Sequence, residues 1–324
     1  MVKAVRFHEP GGPEVLRVDN LDVPDPENEQ IRVRHTAIGL NYIDTYHRSG
    51  LYPLPLPSGI GMEGAGIVEA IGPSVSGVSE GDRVAYASPP PGSYAEARLI
   101  DAEKVVKIPE GITDEQAAAM MLKGLTAQYL IRQIHKVSPG DTILIHAAAG
   151  GVGLIVCQWA KTLGATVIGT VSTDDKAELA RANGCDYPIV YTRDDFVTKV
   201  DEITSGAKLP VVYDSIGKAT FPASLDCVRP LGIFVTFGQA SGPIPPVDLG
   251  VFAQKGSLFV TRPTLFNYAS SPTNLRAMSK DLFAVVSTGA VKINIDQTYC
   301  LTEARKAHED LEGRQTTGST VLLP

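Results

Sequence analysis

A cluster of glycines, Gly150-Gly151-Val152-Gly153, follows one apolar run and opens another. Glycines at such a turn let the backbone approach a pyrophosphate, and a helix that starts there offers unpaired N–H groups to the anion. We therefore predict that Gly150, Gly151 and Val152 hold the pyrophosphate of a dinucleotide. Ala148 replaces the first glycine of the usual fingerprint, which is tolerable if its φ is negative. No Lys-Ser or Lys-Thr pair follows, which argues against a nucleoside triphosphate loop.

The residues that would face the adenosine ribose carry no acidic group at the end of the second strand. NAD-preferring domains place Asp or Glu there, roughly 20 residues past the glycine turn, to bind the 2′-OH. This chain has Ser172 and Thr173 at that point and Lys176 shortly after, which suits a 2′-phosphate. Asp174 and Asp175 add negative charge nearby, and we interpret them as the first residues of a helix. The pattern favours NADPH over NADH.

Strands and helices alternate around the glycine turn, which predicts a parallel, doubly wound sheet of the Rossmann type. The predicted strands of this part are 142–146, 166–171, 188–191, 211–214, 233–237 and 257–261, with helices at 151–163 and 175–183. Residues 1 to about 120 instead form short strands broken by Gly and Pro, such as 31–37, 64–72 and 82–87. Helices are expected around 125–136 and 274–289, and 317–323 as a strand that rejoins the first domain. The fold class is therefore α/β, with a Rossmann unit inserted in a β-rich domain.

Length and composition limit the function classes. The 324 residues are enough for two domains, and the net charge of -7 without basic runs argues against nucleic acid as a partner. The N-terminus lacks an apolar secretion segment, and the longest apolar stretch, 143–159, contains His146 and glycines, so we expect no membrane span and a cytoplasmic protein. The four cysteines form no CxxC pair, which argues against a four-cysteine zinc clamp.

Five segments along the whole chain resemble one known family. They are Gly11–Leu16, Gly39–Asp44, Gly61–Gly66, Leu122–Ala127 and His146–Lys161. The sequence is similar to the NADPH:quinone oxidoreductase and zeta-crystallin branch of the medium-chain dehydrogenase/reductases, and especially to its bacterial quinone oxidoreductases. The resemblance implies a GroES-like catalytic domain in two parts, residues 1–124 and 265–324, around a Rossmann NADPH domain at 125–264.

The same resemblance bears on metal binding. Zinc alcohol dehydrogenases of the superfamily have Cys where this chain has Asn41, and His where it has Met62. An amide and a thioether do not replace a thiolate and an imidazole around Zn²⁺. We therefore predict no metal and a reductase rather than an alcohol-oxidising enzyme.

The resemblance also implies a set of binding residues. Besides the glycine turn, the cofactor would contact Asn41, Tyr42, Asp44, Thr126, Tyr129, Ser172, Thr173, Lys176, Tyr191, Ser215, Phe237, Gly238 and Arg314. For the substrate we select Asn41, Tyr46 and Tyr52 around the nicotinamide, with Arg262 as a weaker candidate. The segment Asn41–Pro55 is equally consistent with a loop packed by its own aromatic rings. No residue is identified as a general acid, because solvent can protonate the phenolate that hydride addition to a quinone produces.

Three functions remain open at this stage. The first is NADPH-dependent reduction of quinones by hydride or stepwise electron transfer. The second is reduction of activated double bonds in enones or enals on the same scaffold. The third is a non-catalytic, NADPH-binding protein of the crystallin or RNA-binding kind, against which the acidic composition argues.

A homodimer is also expected. The apolar segment 257–261 would form an edge strand, which invites association if it stays open. Pairing with its twofold mate would extend the sheet across two subunits.

Overall fold

The computed structural model describes residues 1–324, and the chain contacts divide it into two compact units. Unit 1 comprises Met1–Leu125, Ala269–Ser287 and Ile293–Pro324, and unit 2 comprises Thr126–Tyr268 and Thr288–Lys292. These divisions lie one and four residues from the expected domain boundaries. The short segment from Thr288 is a difference, because we expected it in the first domain.

The chain forms sixteen strands and ten α-helices. The strands are β1 Val2–Phe7, β2 Arg17–Leu21, β3 Gln30–Leu40, β4 Ser58–Gly59, β5 Glu63–Ile71, β6 Arg83–Ala87, β7 Ala97–Asp101, β8 Val106–Lys107, β9 Thr142–His146, β10 Thr166–Val171, β11 Tyr187–Val190, β12 Leu209–Asp214, β13 Val228–Thr236, β14 Phe259–Thr261, β15 Ile295–Cys300 and β16 Ser319–Leu323. The helices are α1 Tyr42–Arg48, α2 Asp114–Tyr129, α3 Gly151–Thr162, α4 Asp174–Ala182, α5 Phe196–Thr204, α6 Phe221–Ser224, α7 Gly250–Gln254, α8 Leu265–Tyr268, α9 Pro272–Ser287 and α10 Ala304–Glu312. None of these helices has the length and apolar character that crossing a membrane requires.

Unit 1 is built on a seven-stranded sheet in the order β15-β16-β3-β5-β6-β8, with β7 paired to β3, and on a small sheet β2-β1-β4. Along β3, buried Ile31 and Val33 alternate with the partly exposed Arg32 and the exposed Arg34. This alternation is that of a strand with one face on a core. The far end of β3 is buried on both faces and leads directly into α1, so it fixes where α1 begins.

Unit 2 contains a six-stranded parallel sheet in the order β11-β10-β9-β12-β13-β14. The chain order reverses between β9 and β12, and doubly wound sheets bind ligands beyond the carboxyl ends of the strands at such a reversal. Leu144, Ile168, Val212 and Phe234 of four neighbouring strands are buried in one core cluster. The predicted α/β architecture with a Rossmann-like parallel sheet is confirmed.

Two local predictions are wrong. The segment after Asn41 forms the helix α1 rather than a loop, because the Asp44 carboxylate accepts the Asn41 N–H at 2.9 Å and so caps the first turn. The helix expected around 125–136 is the continuation of α2, which passes through Gly124 without a break and ends in a π-helical turn at Leu130–Ile134. Gly124 lies against Leu282, where a Cβ would come within 2.6 Å of a methyl carbon, so it serves close packing rather than helix termination.

Candidate active site

The glycine turn of unit 2 forms the open N-terminal end of α3. Ala147 has a positive φ of 56°, and its carbonyl accepts the Gly150 N–H at 2.9 Å. A Cβ on Gly153 would lie 2.3 Å from the same carbonyl, so only glycine fits there. The first bond of the helix joins Leu154 N–H to Gly150 O at 2.9 Å. The preceding N–H groups therefore lie at the helix end, where an anion such as a pyrophosphate binds.

The four candidates for the 2′-phosphate in unit 2 follow two paired strands. Ser172, Thr173 and Lys176 come after β10, and Tyr191 follows the adjacent β11, where its N–H donates to Val171 O at 3.1 Å. The Thr173 hydroxyl accepts the Lys176 N–H at 3.3 Å, so Thr173 is the N-cap of α4. The structure thus brings these four residues to one edge of the sheet.

Asp174 beside this group is paired. Arg193 donates to both of its carboxylate oxygens at 3.2 Å, across 19 positions of the sequence. The pairing offsets the negative charge that Asp174 adds beside the expected 2′-phosphate position. Sequence reasoning missed Arg193, because the pairing depends on how the turn after β11 folds back toward α4.

Ser215, Phe237 and Gly238 follow β12 and β13, again at the carboxyl edge of the sheet. Phe237 N–H donates to Asp214 O at 2.8 Å. A Cβ on Gly238 would lie 2.6 Å from the Ser215 carbonyl oxygen, so this close approach requires glycine. The buried Asp214 carboxylate accepts the N–H groups of residues 216 and 217 at 2.7 and 3.0 Å and fixes the turn that contains Ser215.

A buried histidine ties three of these strand ends together. His146 at the end of β9 bonds Thr170 Oγ1 of β10 at 2.8 Å through Nδ1, and Ser224 Oγ at 2.9 Å through Nε2. The Ser224 hydroxyl in turn donates to the Asp214 carboxylate at the end of β12 at 3.4 Å. Burial lowers the pKa of His146, which favours the neutral ring that such a connection needs.

Three further candidates lie together in unit 2. The rings of Tyr129 and Tyr268 stack at 4.5 Å between centroids and 9° between planes, and the Thr126 side chain hydrogen-bonds Tyr129. The pKa of Tyr129 is raised because the side chain is buried, and the nearby Arg262 charge opposes this shift without cancelling it. Arg262 donates to Thr236 O at 3.0 Å. The structure therefore groups Arg262 with Tyr129 in unit 2, whereas its companion substrate candidates belong to unit 1.

The substrate candidates of unit 1 form an aromatic series. Tyr42 and Tyr46 on α1 meet edge to face with centroids 5.5 Å apart, and Tyr46 meets Tyr52 in the same way at 5.2 Å. Tyr46 is buried, while Tyr42 and Tyr52 are half-buried. Arg314 also belongs to unit 1, where its charge lowers the pKa of Tyr42 against the larger effect of burial. The other four phosphate candidates belong to unit 2.

Asn41 belongs to a buried polar cluster that sequence reasoning missed. Its side-chain amide donates to Glu63 Oε2 at 2.7 Å, and Lys123 Nζ lies 3.4 Å from the same oxygen. Leu122 N–H donates to Glu63 Oε1 at 2.7 Å, and Lys123 also donates to Leu40 O at 3.0 Å. A signal was present, since Glu63 and Lys123 lie within Gly61–Gly66 and Leu122–Ala127, two of the segments that carry the family resemblance.

Asp44 ends a directional chain of buried hydrogen bonds. Arg48 donates to His308 Nδ1 at 3.1 Å, and since arginine only donates, the proton of the neutral ring is on Nε2. His308 Nε2 therefore donates to Tyr94 Oη at 3.1 Å, and the Tyr94 hydroxyl donates to Asp44 Oδ2 at 3.0 Å. At the other end, Glu312 accepts Arg48 Nη2 at 2.8 Å.

The pKa shifts along this chain follow from burial. Burial lowers the pKa of His308 to about 3, with the Arg48 charge acting in the same direction. Burial raises the pKa of Asp44 to about 7, although the bonds from Asn41 and Tyr94 oppose this. Asp44 Oδ1 is buried without a hydrogen-bond partner. The chain cannot conduct a proton along its length, because Arg48 does not release one, so its role is to hold the first turn of α1.

The side chains at the expected zinc positions do not fit that metal. No group of three or more His, Cys, Asp and Glu side chains that could hold a metal ion occurs in the structure. The Asn41 amide donates to Glu63, Met62 is a buried thioether, and the ammonium of Lys123 lies 3.4 Å from the same Glu63 oxygen. A fixed positive charge repels a divalent cation, and neither an amide nor a thioether is a preferred zinc ligand.

Comparison with known proteins places this arrangement in a family. Residues 27–110 match the alcohol dehydrogenase GroES-like domain, and residues 151–278 match the zinc-binding dehydrogenase domain. The chain is 55% identical to a quinone oxidoreductase of Pseudomonas aeruginosa over the full length of both proteins. The crystal structure of the Escherichia coli quinone oxidoreductase complexed with NADPH has a TM-score of 0.98 at 48% identity, and covers 99% of this chain and 100% of its own.

A further relative has another name. The 2-haloacrylate reductase of a Burkholderia species is 49% identical over 100% of this chain and 99% of its own length. The chain therefore belongs to the quinone oxidoreductase family of the medium-chain dehydrogenase/reductase superfamily, a family of enzymes. The resemblance seen in the sequence is confirmed at this level.

Proposed function

We propose that this enzyme reduces quinones with NADPH and needs no metal ion. The observation that supports this most is the segment Asn41–Tyr52. It begins with a buried amide where a zinc enzyme has a metal ligand, and three tyrosine rings that contact one another follow. A flat, apolar acceptor suits aromatic rings, and an amide or phenol group can face its oxygen without a full charge. NADPH supplies the hydride when it is bound.

Unit 2 supplies the features that suit NADPH. The open end of α3 fits a pyrophosphate, and the strand end at Ser172 lacks the carboxylate that binds an NAD ribose. Lys176 and Arg193 bring two positive charges to this edge, and the Arg193 charge pairs with Asp174. The Escherichia coli relative complexed with NADPH supports the same assignment.

Steady-state kinetics on the purified enzyme tests the proposal. We expect kcat/KM with a panel of benzoquinones and naphthoquinones to exceed that with 2-enones, NADPH to be preferred over NADH, and a zinc chelator to leave the rate unchanged. Faster turnover of enones than of quinones would contradict the substrate assignment. Loss of activity on chelation, restored by Zn²⁺, would contradict the absence of a metal.

The second candidate function is reduction of an activated carbon–carbon double bond. The full-length similarity to a 2-haloacrylate reductase favours it, because the two functions share a scaffold. A 2-haloacrylate and several enals in the same assay separate the candidates, since a quinone reductase turns them over slowly or not at all.

We also propose that the enzyme is a homodimer through β14. This strand pairs only with β13, and Phe259 and Val260 are exposed at the free edge of the sheet. An open apolar edge is a template for another strand. Light scattering should give twice the mass of one chain, and Phe259→Lys should shift the protein toward monomer. A monomeric wild-type protein at micromolar concentration would overturn this proposal.

A further inference from the structure

Lys123 is the one buried lysine of this protein, at 7% exposure. Its ammonium group has two acceptors, Leu40 O at 3.0 Å and Glu63 Oε2 at 3.4 Å. An ammonium carries three donors, so one N–H remains for an acceptor that a ligand brings. Burial of a lysine that has an unused N–H donor lowers the stability of the fold, so its presence needs a functional explanation.

The contact between Lys123 and Glu63 is not a tight ion pair. Two other donors, Asn41 Nδ2 and Leu122 N–H, approach the Glu63 carboxylate to 2.7 Å, which is closer than Lys123. The carboxylate is thus largely satisfied by uncharged donors. Glu63 therefore does not use up the donors of Lys123, although the Lys123 charge is the main influence that offsets the burial of this carboxylate.

Asn41 and Lys123 share the acceptor Glu63 Oε2, so their donor groups are neighbours. We propose that Lys123 is the electrostatic group that stabilises the negative charge formed on the substrate oxygen, in a place where related enzymes use a metal cation. The inference rests on the proposed function. A charge fixed in a site that excludes water stabilises a developing anion far better than the same charge in solvent.

The step balances without an additional reagent. Hydride, one proton with two electrons, adds to the quinone and leaves a hydroquinone monoanion whose oxygen bears the negative charge. Lys123 donates a hydrogen bond to this oxygen and keeps its own protons. A proton from solvent then completes the hydroquinone, so the quinone is reduced and NADPH is oxidised.

A set of variants separates this role from simple charge balance. Lys123→Met removes the ammonium but leaves Glu63 without its cation, so the decisive variant is Lys123→Met combined with Glu63→Gln, which removes both charges. We expect kcat in the double variant to fall about a hundredfold, as when one oxyanion donor is lost, with the KM for NADPH nearly unchanged. Recovery of wild-type kcat in the double variant, with a slow Lys123→Met, would show charge balance alone and overturn the proposal.

A surface lysine provides the matched control. Lys107 forms an exposed ion pair with Asp82 at 2.8 Å in the same unit, and Lys107→Met should leave kcat unchanged. A series of quinones whose anions differ in stability provides a further test, because a general defect in folding would lower the rate equally for every quinone. The loss of rate in the double variant should be largest for quinones whose anions are least stable by themselves. An equal loss for every quinone would contradict a role on the developing anion.

A binding measurement tests the charge without turnover. 4-Nitrophenol is mixed with the wild-type protein in a buffer whose pH is near the pKa of this compound. The phenolate absorbance band should be stronger than without protein, and the double variant should abolish the increase. An unchanged band in the wild-type protein would count against Lys123. If the wild-type enzyme reduces enones instead of quinones, the proposed function fails, but the variants still test Lys123, because hydride addition to an enone also leaves an oxyanion.

Discussion

The two units build their candidate binding residues in different ways. In unit 2, the glycine turn, the strand end at Ser172 and the turn at Ser215 offer backbone groups and small side chains, held by nearby carbonyls. In unit 1, the groups around Asn41 and Asp44 are long side chains buried together with their charges. A backbone site needs little beyond local sequence, whereas a buried ionic site depends on every partner being present.

The difference predicts how each part fails. Removing one partner from the buried network of unit 1 should lower the stability of the fold, because the remaining charged and polar groups are left buried without hydrogen-bond or ion-pair partners. If the turn of unit 2 holds the pyrophosphate as proposed, a change there should cost affinity for the cofactor, because the binding groups are backbone N–H groups whose geometry the turn sets. The following variants test this contrast.

Arg48→Met should have the largest effect, a loss of about 3 kcal/mol in the free energy of unfolding. Arg48 is almost fully buried, and its loss leaves His308 Nδ1 without a donor and Glu312 without a cation. Urea unfolding measures the change. Arg34→Met, at an exposed pair with Glu69, is the control and should cost less than about 0.5 kcal/mol. Equal losses in the free energy of unfolding for both variants would contradict the claim that the buried network of unit 1 depends on each of its partners.

Gly153→Ala should raise the Kd for NADPH by about a hundredfold, because the new Cβ would lie 2.3 Å from a backbone oxygen that cannot rotate away. Fluorescence titration with NADPH measures this. Gly250→Ala is the control in the same unit, since its Cβ would meet only the side chain of Asp248, whose nearest atom lies 3.2 Å away. If the Gly153→Ala variant binds NADPH with the wild-type Kd, the turn is not the cofactor site.

Asp44→Asn should change the pH dependence of stability. The pKa of Asp44 is raised to about 7 from its ordinary 3.8, so between these values the folded state binds a proton that the unfolded state has lost. This group therefore reduces stability progressively as pH rises through that window. The variant should gain about 2 kcal/mol relative to wild type between about pH 5 and pH 7. Urea unfolding at several pH values measures the difference, and a pH-independent difference would contradict the assigned shift.

Lys176→Met should have the smallest effect, an increase of about tenfold in the KM for NADPH with no change for NADH. The selectivity follows because only NADPH has the 2′-phosphate. Steady-state kinetics with both cofactors measures it, and Lys199→Met, an exposed lysine paired with Glu202, is the control. Equal losses with NADH and NADPH would place Lys176 away from the phosphate.

The contrast between the units also explains what the sequence could predict. The strands at 142–146 and 166–171 and the glycine turn were predictable because their signals, apolar runs and adjacent glycines, are local. The cluster of Asn41 with Glu63 and Lys123 joins residues 22 and 60 positions apart, and Arg48 meets His308 across 260 positions. No periodicity in the sequence reports such contacts.

The helix α1 was missed for a related reason. Its seven residues include two tyrosines and a histidine, which are weak helix formers. It is fixed by the Asp44 cap and by the hydrogen-bond chain from α10 through Tyr94. Tertiary contacts therefore override the local preference, and they become visible only in the folded chain.

The most direct test of the account is a single-turnover measurement on the wild-type enzyme. The protein is saturated with NADPH, mixed rapidly with a benzoquinone in excess, and followed by the loss of NADPH absorbance, with NADPH deuterated at the transferred position as a second sample. We predict complete oxidation of the bound NADPH, at a rate not below kcat, that slows on deuteration. Bound NADPH that survives mixing with the quinone would contradict the central claim that this enzyme is an NADPH-dependent quinone reductase.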